Sequence, residues 1–236
     1  MEETYENLAR EIVKRSKERQ AKRYLVAIAG TPGSGKTTTA KHVTDLINSW
    51  SSRGLGTLHA VCVPMDGFHL PRSMLDRLPD PVEAYIRRGA PWTFDVSGVL
   101  ELVHLLRESK KAAVGPKRTI LAPSFDHALK DPVDDGIIIP PSADIILLEG
   151  NYLLLDEEGW RDIADLVDLR IFIDVDLKVA RDRVAERHVK SGIETSLEDA
   201  YRRVDANDFL NGSLIMKNMR KPDIVIRSVS EKDLSG

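Results

Sequence analysis

A single cysteine, Cys62, stands in 236 residues, so no intrachain disulfide can staple the chain, and a reducing compartment is the expected setting. It sits in an apolar run and reads as a small core side chain. Long apolar runs are missing as well. None approaches the roughly 20 residues that span a bilayer, so no membrane insertion is expected. The opening Met-Glu-Glu-Thr-Tyr-Glu lacks the basic start and apolar middle of a signal peptide. Glu2, Glu3, Glu6 and Glu11 argue against a mitochondrial presequence, and the expectation is a cytoplasmic protein. Excess charge is slight, −3 in total, which gives no general electrostatic reason to expect nucleic acid or an acidic membrane as partner. Repeats, low-complexity tracts and domain linkers are absent too.

What the chain does have is concentrated in residues 24–39. An apolar run, Tyr24 to Ala29, feeds into Gly30-Thr31-Pro32-Gly33-Ser34-Gly35-Lys36-Thr37, and a helix-competent stretch follows from Thr38 to about Trp50. This is a phosphate-binding loop in the strand-to-helix context it requires. Its glycines let successive backbone N–H groups point at an anion, and the following helix N-terminus adds a favourable dipole. Lys36 can reach the β- and γ-phosphates as a mobile charge, and the Thr37 hydroxyl can fill one Mg²⁺ position. Gly30 to Thr38 are thus expected to bind ATP with Mg²⁺. No base-reading motif stands out to exclude GTP. The loop leaves the fate of the γ-phosphate open, because switches, motors, pumps and small-molecule kinases share it.

Around this loop, residues 4–22 show helical apolar spacing through Leu8, Ile12 and Val13 and predict an amphipathic helix beside the first strand. Its exposed face could serve a homodimer interface. Buried strands are predicted at 58–63, 144–148, 169–173 and 223–226, with a short one at 120–122 that leads into a polar excursion holding Asp131, Asp134 and Asp135. Helical pieces are predicted on either side of Pro79-Asp80-Pro81, and at 99–107 behind a cap at Asp95 or Ser97. Another begins at Leu177 behind Asp176 and is interrupted by Gly192; a further segment runs from Ser196 through Asp208. Alternation of this kind implies an α/β fold, a doubly wound parallel sheet of the P-loop kinase type with a small helical lid. The expected organisation is a single domain over 1–236: a core at 23–230, an N-terminal helix at 1–22 and a lid at about 177–195.

Several P-loop classes lose support. The Asn-Lys-x-Asp guanine reader of a GTPase is missing, as is the Ser- and Gly-rich second signature of a transport ATPase. Asp156-Glu-Glu-Gly159 matches a switch pattern only formally, since it follows a Glu-Gly-Asn-Tyr turn rather than a strand. Phosphoryl transfer to a hydroxyl needs a phosphate cradle, Mg²⁺, a group that orients and deprotonates the acceptor, and mobile positive charge. Asp66, at the end of the second strand, is the candidate base. Glu149, ending the 144–148 strand, is placed to hold a Mg²⁺-bound water or to help the acceptor. Arg183 and Arg187 share a helix face with Lys190 and are candidate lid cations. A nucleotide-binding regulatory protein without turnover is the rival from another class; Lys36, Thr37, Asp66 and Glu149 together weigh against it.

These residues resemble the phosphoribulokinase, uridine kinase and bacterial-type pantothenate kinase family over nearly the whole chain, from Leu25 to Ile226. Val63-Pro-Met-Asp66-Gly-Phe-His69 is similar to the family's Asp-bearing strand end, where that acid acts as base. Arg87-Arg-Gly-Ala-Pro-Trp-Thr-Phe-Asp95 resembles the segment holding His-Pro-x-x-Phe-Asp in uridine kinases and Arg-Lys-Gly-x-Pro in pantothenate kinases. Ser124-Phe125-Asp126-His127 falls at the substrate-contacting stretch, and Leu148-Glu149-Gly150 matches the end of the Walker B strand. The resemblance implies that Asp95 meets ribose hydroxyls and that His69, Arg88, Phe125, His127 and Glu149 shape the acceptor pocket. Phe125 stands where uridine kinases carry an aromatic hydroxyl, and Arg-Gly-x-Pro leans toward pantothenate kinases. Glu149-Gly-Asn-Tyr-Leu-Leu-Leu-Asp156 and Asn207-Asp208 look like a branch of uridine kinase-like proteins. The implied activity is an ATP- and Mg²⁺-dependent kinase of a small metabolite's hydroxyl, first a nucleoside, alternatively pantothenate or a sugar.

Overall fold

The order of the strands explains where a ligand can sit. A computed structural model describes residues 1–19, 23–111 and 118–228. Its strands are β1 (Tyr24–Gly30), β2 (His59–Pro64), β3 (Ile120–Asp126), β4 (Asp131–Ile139), β5 (Ala143–Gly150), β6 (Leu169–Asp174) and β7 (Ile224–Arg227). Five of them form a parallel sheet in the order β2-β5-β1-β6-β7. All seven residues of β1 are buried, which is why its sequence is an unbroken apolar run with no polar alternation. Successive side chains still divide between faces. Tyr24, Val26 and Ile28 join Ile145 and Leu147 on one side; Leu25, Ala27 and Ala29 join Ile146 and Leu148 on the other. Each fully buried Val, Leu or Ile contributes about 1.5–3 kcal/mol.

Helices cover both faces. α1 (Glu2–Glu18) and α2 (Lys36–Ser52) cover the first, where Tyr5, Leu8, Ala9 and Ile12 meet Ala40, Val43 and Ile47. After the short α3 (Arg72–Leu75) and α4 (Pro81–Ile86), α5 (Val96–Lys111) and α6 (Trp160–Leu166) cover the second, through Val99, Leu102, Val103, Leu106, Trp160 and Ile163. Asp95 caps α5 by accepting the Gly98 N–H at 2.9 Å. Among the described residues no helix is long and apolar enough to cross a membrane.

The N-terminal end of the sheet is braced by two charged groups. Arg23 is fully buried and donates to the carbonyls of Arg118 and Pro140, both at 3.1 Å. Asp168 accepts the Leu25 N–H at 2.9 Å and pairs with Arg19 and Arg107.

Two expectations are corrected. The polar excursion after residue 122 is a strand: β4 pairs antiparallel with β3, Leu121 opposite Ile138 and Asp126 opposite Asp131, in a hairpin separate from the main sheet. Asp134 and Asp135 are exposed there and one hairpin face is solvated, so the continuous apolar run of a buried strand is missing. The helix expected to run from Ser196 through Asp208 is α8 (Leu197–Ala206), and a second helix follows, α9 (Asp208–Lys217). Asn207, at φ −136° and ψ −70°, breaks the pair. Between them in sequence and the sheet lies α7 (Leu177–Lys190), which Asp176 caps through the N–H groups of Lys178 and Val179.

Candidate active site

Parallel register brings three strand ends level. Ile28 lies beside Glu149, Glu149 beside Pro64, and Gly30 beside Ile173. The residues that follow β1 and β2, together with Glu149 itself, therefore converge at the carboxyl edge beside the central strand, the place where open α/β sheets take ligands.

The loop 31–35 bends back on itself through a Ser34 N–H to Thr31 carbonyl bond at 3.1 Å. Gly33 and Gly35 have φ of 81° and 89°, a region that side-chain-bearing residues rarely enter. The Thr31 and Ser34 hydroxyls are buried with no partner among the described residues. α2 then begins at Lys36. The Thr37 hydroxyl donates to Glu149 Oε1 at 2.9 Å, and Lys36 Nζ lies 4.0 Å from the same oxygen. Glu149 is 4 % exposed. Burial pushes its carboxyl above the usual range, Asp66 adds to that, and Lys36 and Thr37 oppose it. Burial likewise lowers the Lys36 ammonium, against the pull of Glu149, Asp66 and Asp208. Thr37 and Glu149, a hydroxyl and a carboxylate in contact beside a glycine cradle, are oxygen donors of the kind a Mg²⁺–triphosphate requires.

Asp66 sits in a single 3-10 turn, Met65–Phe68, directly after β2. Its charge favours the ionised form of Lys36 and disfavours that of Glu149. Gly67 makes the next contact possible: a Cβ there would lie 2.2 Å from the Pro123 carbonyl oxygen. Without that side chain β3 comes down on the turn, and Phe125 reaches His69 just after it. His69 packs against Phe94 at 4.0 Å and Phe125 at 4.9 Å, with His127 5.3 Å from Phe125. Burial lowers the His69 imidazole below its usual range, and its Nδ1 lies 2.9 Å from the Asp66 carbonyl oxygen. Arg88 is engaged by the Lys130 carbonyl at 2.6 Å, the Leu70 carbonyl and Asp131 at 3.2 Å, and lies over the Phe125 ring. It holds the hairpin rather than presenting a free guanidinium. Asp95 has one oxygen committed to its cap and is otherwise exposed.

α7 rests directly on the loop. A Cβ on Gly33 would come within 2.5 Å of the Ala180 carbonyl oxygen. Arg183 donates to the Gly33 carbonyl at 3.2 Å and to Ser228 at 2.9 Å. Arg181 turns instead to Asp205, at 2.6 and 2.7 Å, and lies over Tyr201. The Arg187 guanidinium makes no hydrogen bond among the described residues; the charges it acts on include Lys36, His188 and Asp208.

Sequence reasoning quoted Arg87, Tyr152 and Asn207 only within family-like stretches, gave them no role, and did not name Asn211. Arg87 donates to Asn207 at 3.1 Å and to Asn211 at 3.2 Å, Asn207 donates to the Arg88 carbonyl at 2.9 Å, and Tyr152 to the Gly89 carbonyl at 2.6 Å. This network fastens the 87–89 segment to the start of α9. A near-adjacent Asn-x-x-x-Asn at helical spacing was the available signal. A cavity of about 700 Å³ lies at the other end of the sheet, but its charges answer one another, Glu11 with Arg15 and Arg170 with Asp223.

A family model described as the Phosphoribulokinase / Uridine kinase family matches residues 25–235. A Schizosaccharomyces pombe protein named "Putative uridine kinase C227.14" is 40 % identical over 229 residues, covering 97 % of this chain and 92 % of its own. The crystal structure of YFH7 from Saccharomyces cerevisiae superposes with a TM-score of 0.85 at 26 % identity, covering 96 % of this chain and 99 % of that one. A Silicibacter sp. TM1040 structure described as a "putative fructose transport system kinase" gives 0.79 at 31 % identity, covering 94 % and 98 %.

Proposed function

The chain belongs to the phosphoribulokinase / uridine kinase family, as a P-loop kinase, and from that premise we propose that it moves the γ-phosphate of ATP to a hydroxyl of a small metabolite, with a nucleoside as acceptor. One observation carries the reading: Thr37 and Lys36 of the phosphate loop lie 2.9 and 4.0 Å from Glu149 Oε1, while Asp66 follows the neighbouring strand whose last residue, Pro64, stands level with Glu149.

In this reading the amides of Gly30 to Thr38 hold the phosphates, and Lys36 follows the γ-phosphate. Thr37 and Glu149 would hold Mg²⁺, which when bound supplies charge neutralisation across the phosphates. Asp66 orients the acceptor hydroxyl and takes its proton on a carboxylate oxygen. Arg187 and Arg183 offset charge on the transferring group. His69, Phe125 and His127 give the acceptor a ring-lined wall that suits a planar base, Arg88 fixes that wall, and Asp95 offers its free oxygen to vicinal hydroxyls. A sugar acceptor has the name of the Silicibacter relative in its favour.

A coupled ADP-release assay across nucleosides, pantothenate and sugars tests this. The expected result is acceptor-dependent ADP formation highest with a nucleoside. Highest rates with a sugar or pantothenate would replace the acceptor. ATP binding with no ADP formed from any acceptor would leave a nucleotide-binding regulator.

A further inference from the structure

Arg87 and Arg88 send their guanidinium groups to different parts of the fold. Arg87 reaches α9 and its N-terminal flank, donating from Nε to Asn207 at 3.1 Å and from a terminal nitrogen to Asn211 at 3.2 Å. Arg88 reaches the hairpin, where the Lys130 carbonyl at 2.6 Å and Asp131 at 3.2 Å hold it over the Phe125 ring. The backbone that joins these side chains to the next turn is gripped as well. Asn207 donates to the Arg88 carbonyl at 2.9 Å, and the Gly89 carbonyl accepts from Asn211 at 3.3 Å and from Tyr152 at 2.6 Å. Gly89 turns the chain at φ 102°, where a residue with a side chain would be strained.

α9 also lies against the phosphate loop. A Cβ added to Gly212, the residue after Asn211, would meet Thr31 at an ordinary contact distance of 3.6 Å, and Phe209 and Gly212 line a narrow crevice with Thr31 and Pro32. Asn211 is buried, and its amide is engaged on both sides: Nδ2 donates to Gly89 and to Asn207, and Oδ1 accepts from Arg87. Apolar packing alone would secure a helix here. A satisfied network of amides around one guanidinium also fixes direction and register. An unbroken run of contacts therefore leads from Thr31 through α9 and residues 87–89 to the hairpin and Phe125.

We propose that Arg87 and Asn207 are positioning residues that clasp the acceptor wall to the phosphate loop, so that ordering the loop with a nucleoside triphosphate also orders the wall. The proposal rests on the reading of the loop as a nucleotide site and of the hairpin as an acceptor wall. Neither residue touches substrate; each acts through Arg88, whose backbone the network holds and whose side chain holds the hairpin. By linkage, an acceptor that orders the wall then strengthens nucleotide binding by the same factor.

The test is hydrogen exchange read by mass spectrometry on the full chain, with and without the Mg²⁺ complex of AMP-PNP, for wild type, Asn207→Ala and Arg87→Lys. Lysine keeps the charge but lacks the planar fork that serves two amides at once. In wild type the nucleotide should slow exchange across residues 120–139 by about fivefold or more. In both variants that slowing should be largely lost, while calorimetry shows nucleotide affinity within a few fold of wild type. With the acceptor that gives the highest rate, kcat/KM for that acceptor should fall about tenfold or more as KM for ATP holds. A network that only secures α9 would lower Tm and leave both the hairpin's response and kcat/KM intact, which overturns the proposal. Slowing that persists undiminished in the variants also overturns it, since the wall would then sense the nucleotide through the turn at Gly67. A wild type that fails to bind the probe overturns the nucleotide reading itself; one that binds while its hairpin stays unresponsive overturns only the clasp.

Discussion

Replacing Gly33 by alanine tests whether the phosphate loop and α7 form one unit. Two costs arise. A left-handed backbone at φ 81° costs an L-residue roughly 1–2 kcal/mol. The added Cβ would stand 2.5 Å from the Ala180 carbonyl oxygen and 3.0 Å from a Val184 methyl. The first of these is helix backbone, so α7 must retreat by about 1 Å to recover ordinary contact. Retreat breaks the Arg183 bond to the Gly33 carbonyl, about 1.5–3 kcal/mol for a charged donor, and loosens the contacts of buried Ala180 and Val184. About 3 kcal/mol beyond the backbone strain corresponds to roughly 10²-fold in nucleotide affinity. Gly54→Ala is the matched control, with φ of 72° but nothing within 4 Å of the new Cβ. It carries the strain alone, partly offset by a stiffer unfolded chain, and should shift Tm by about 2–4 °C at most. Calorimetric titration of both variants with Mg²⁺–AMP-PNP reads the difference. Equal affinities for the two would refute the docking of α7 on the loop as a determinant of nucleotide binding.

Asp66→Asn should lower turnover by about 10²-fold or more while leaving ATP affinity within a few fold; steady-state kinetics with the best acceptor from the ADP-release panel decides it, and unchanged turnover removes Asp66 from the role of base. Arg23→Ala strips the donor from carbonyls of Arg118 and Pro140 at a fully buried position, a loss of about 3 kcal/mol that scanning calorimetry should register as a Tm lower by roughly 6–12 °C. Asp223 is held below the usual carboxylate range, first by its bond from Arg170. A depressed folded-state pKa gives stability that is present above the ordinary aspartate value and lost as pH falls through the lowered one. Asp223→Asn should therefore cost about 1 kcal/mol at pH 7, with the difference from wild type narrowing in acid; a denaturation series that shows a constant difference contradicts the assignment.

The parallel sheet was legible because its strands are buried on both faces and so are written as plain apolar runs, β1 and β5 above all. The phosphate loop was legible because its chemistry is local, eight consecutive residues doing one job. What escaped was written in small or mixed signals. β4 has exposed acids and a proline where a strand pattern calls for apolar residues, and its one strand partner among the described residues is β3. α9 holds Gly212 in its middle and follows directly on α8, so the expected segment stopped at Asp208 and α9 went unannounced; the Asn207 backbone separates the two. The occupation of Arg88 by Lys130, Leu70 and Asp131 depends on partners distant in sequence, and no spacing rule announces it.

The hairpin β3–β4 bonds to itself and not to the parallel sheet, yet Phe125 on it packs against His69, just past the turn that holds Asp66. Ala122 and Ile139 tie it to the main core, while Leu121, Val133 and Ile138 point to solvent and make no part of the central sheet. A graft of this hairpin between relatives therefore has two anchors to preserve and an outer face that is free to vary.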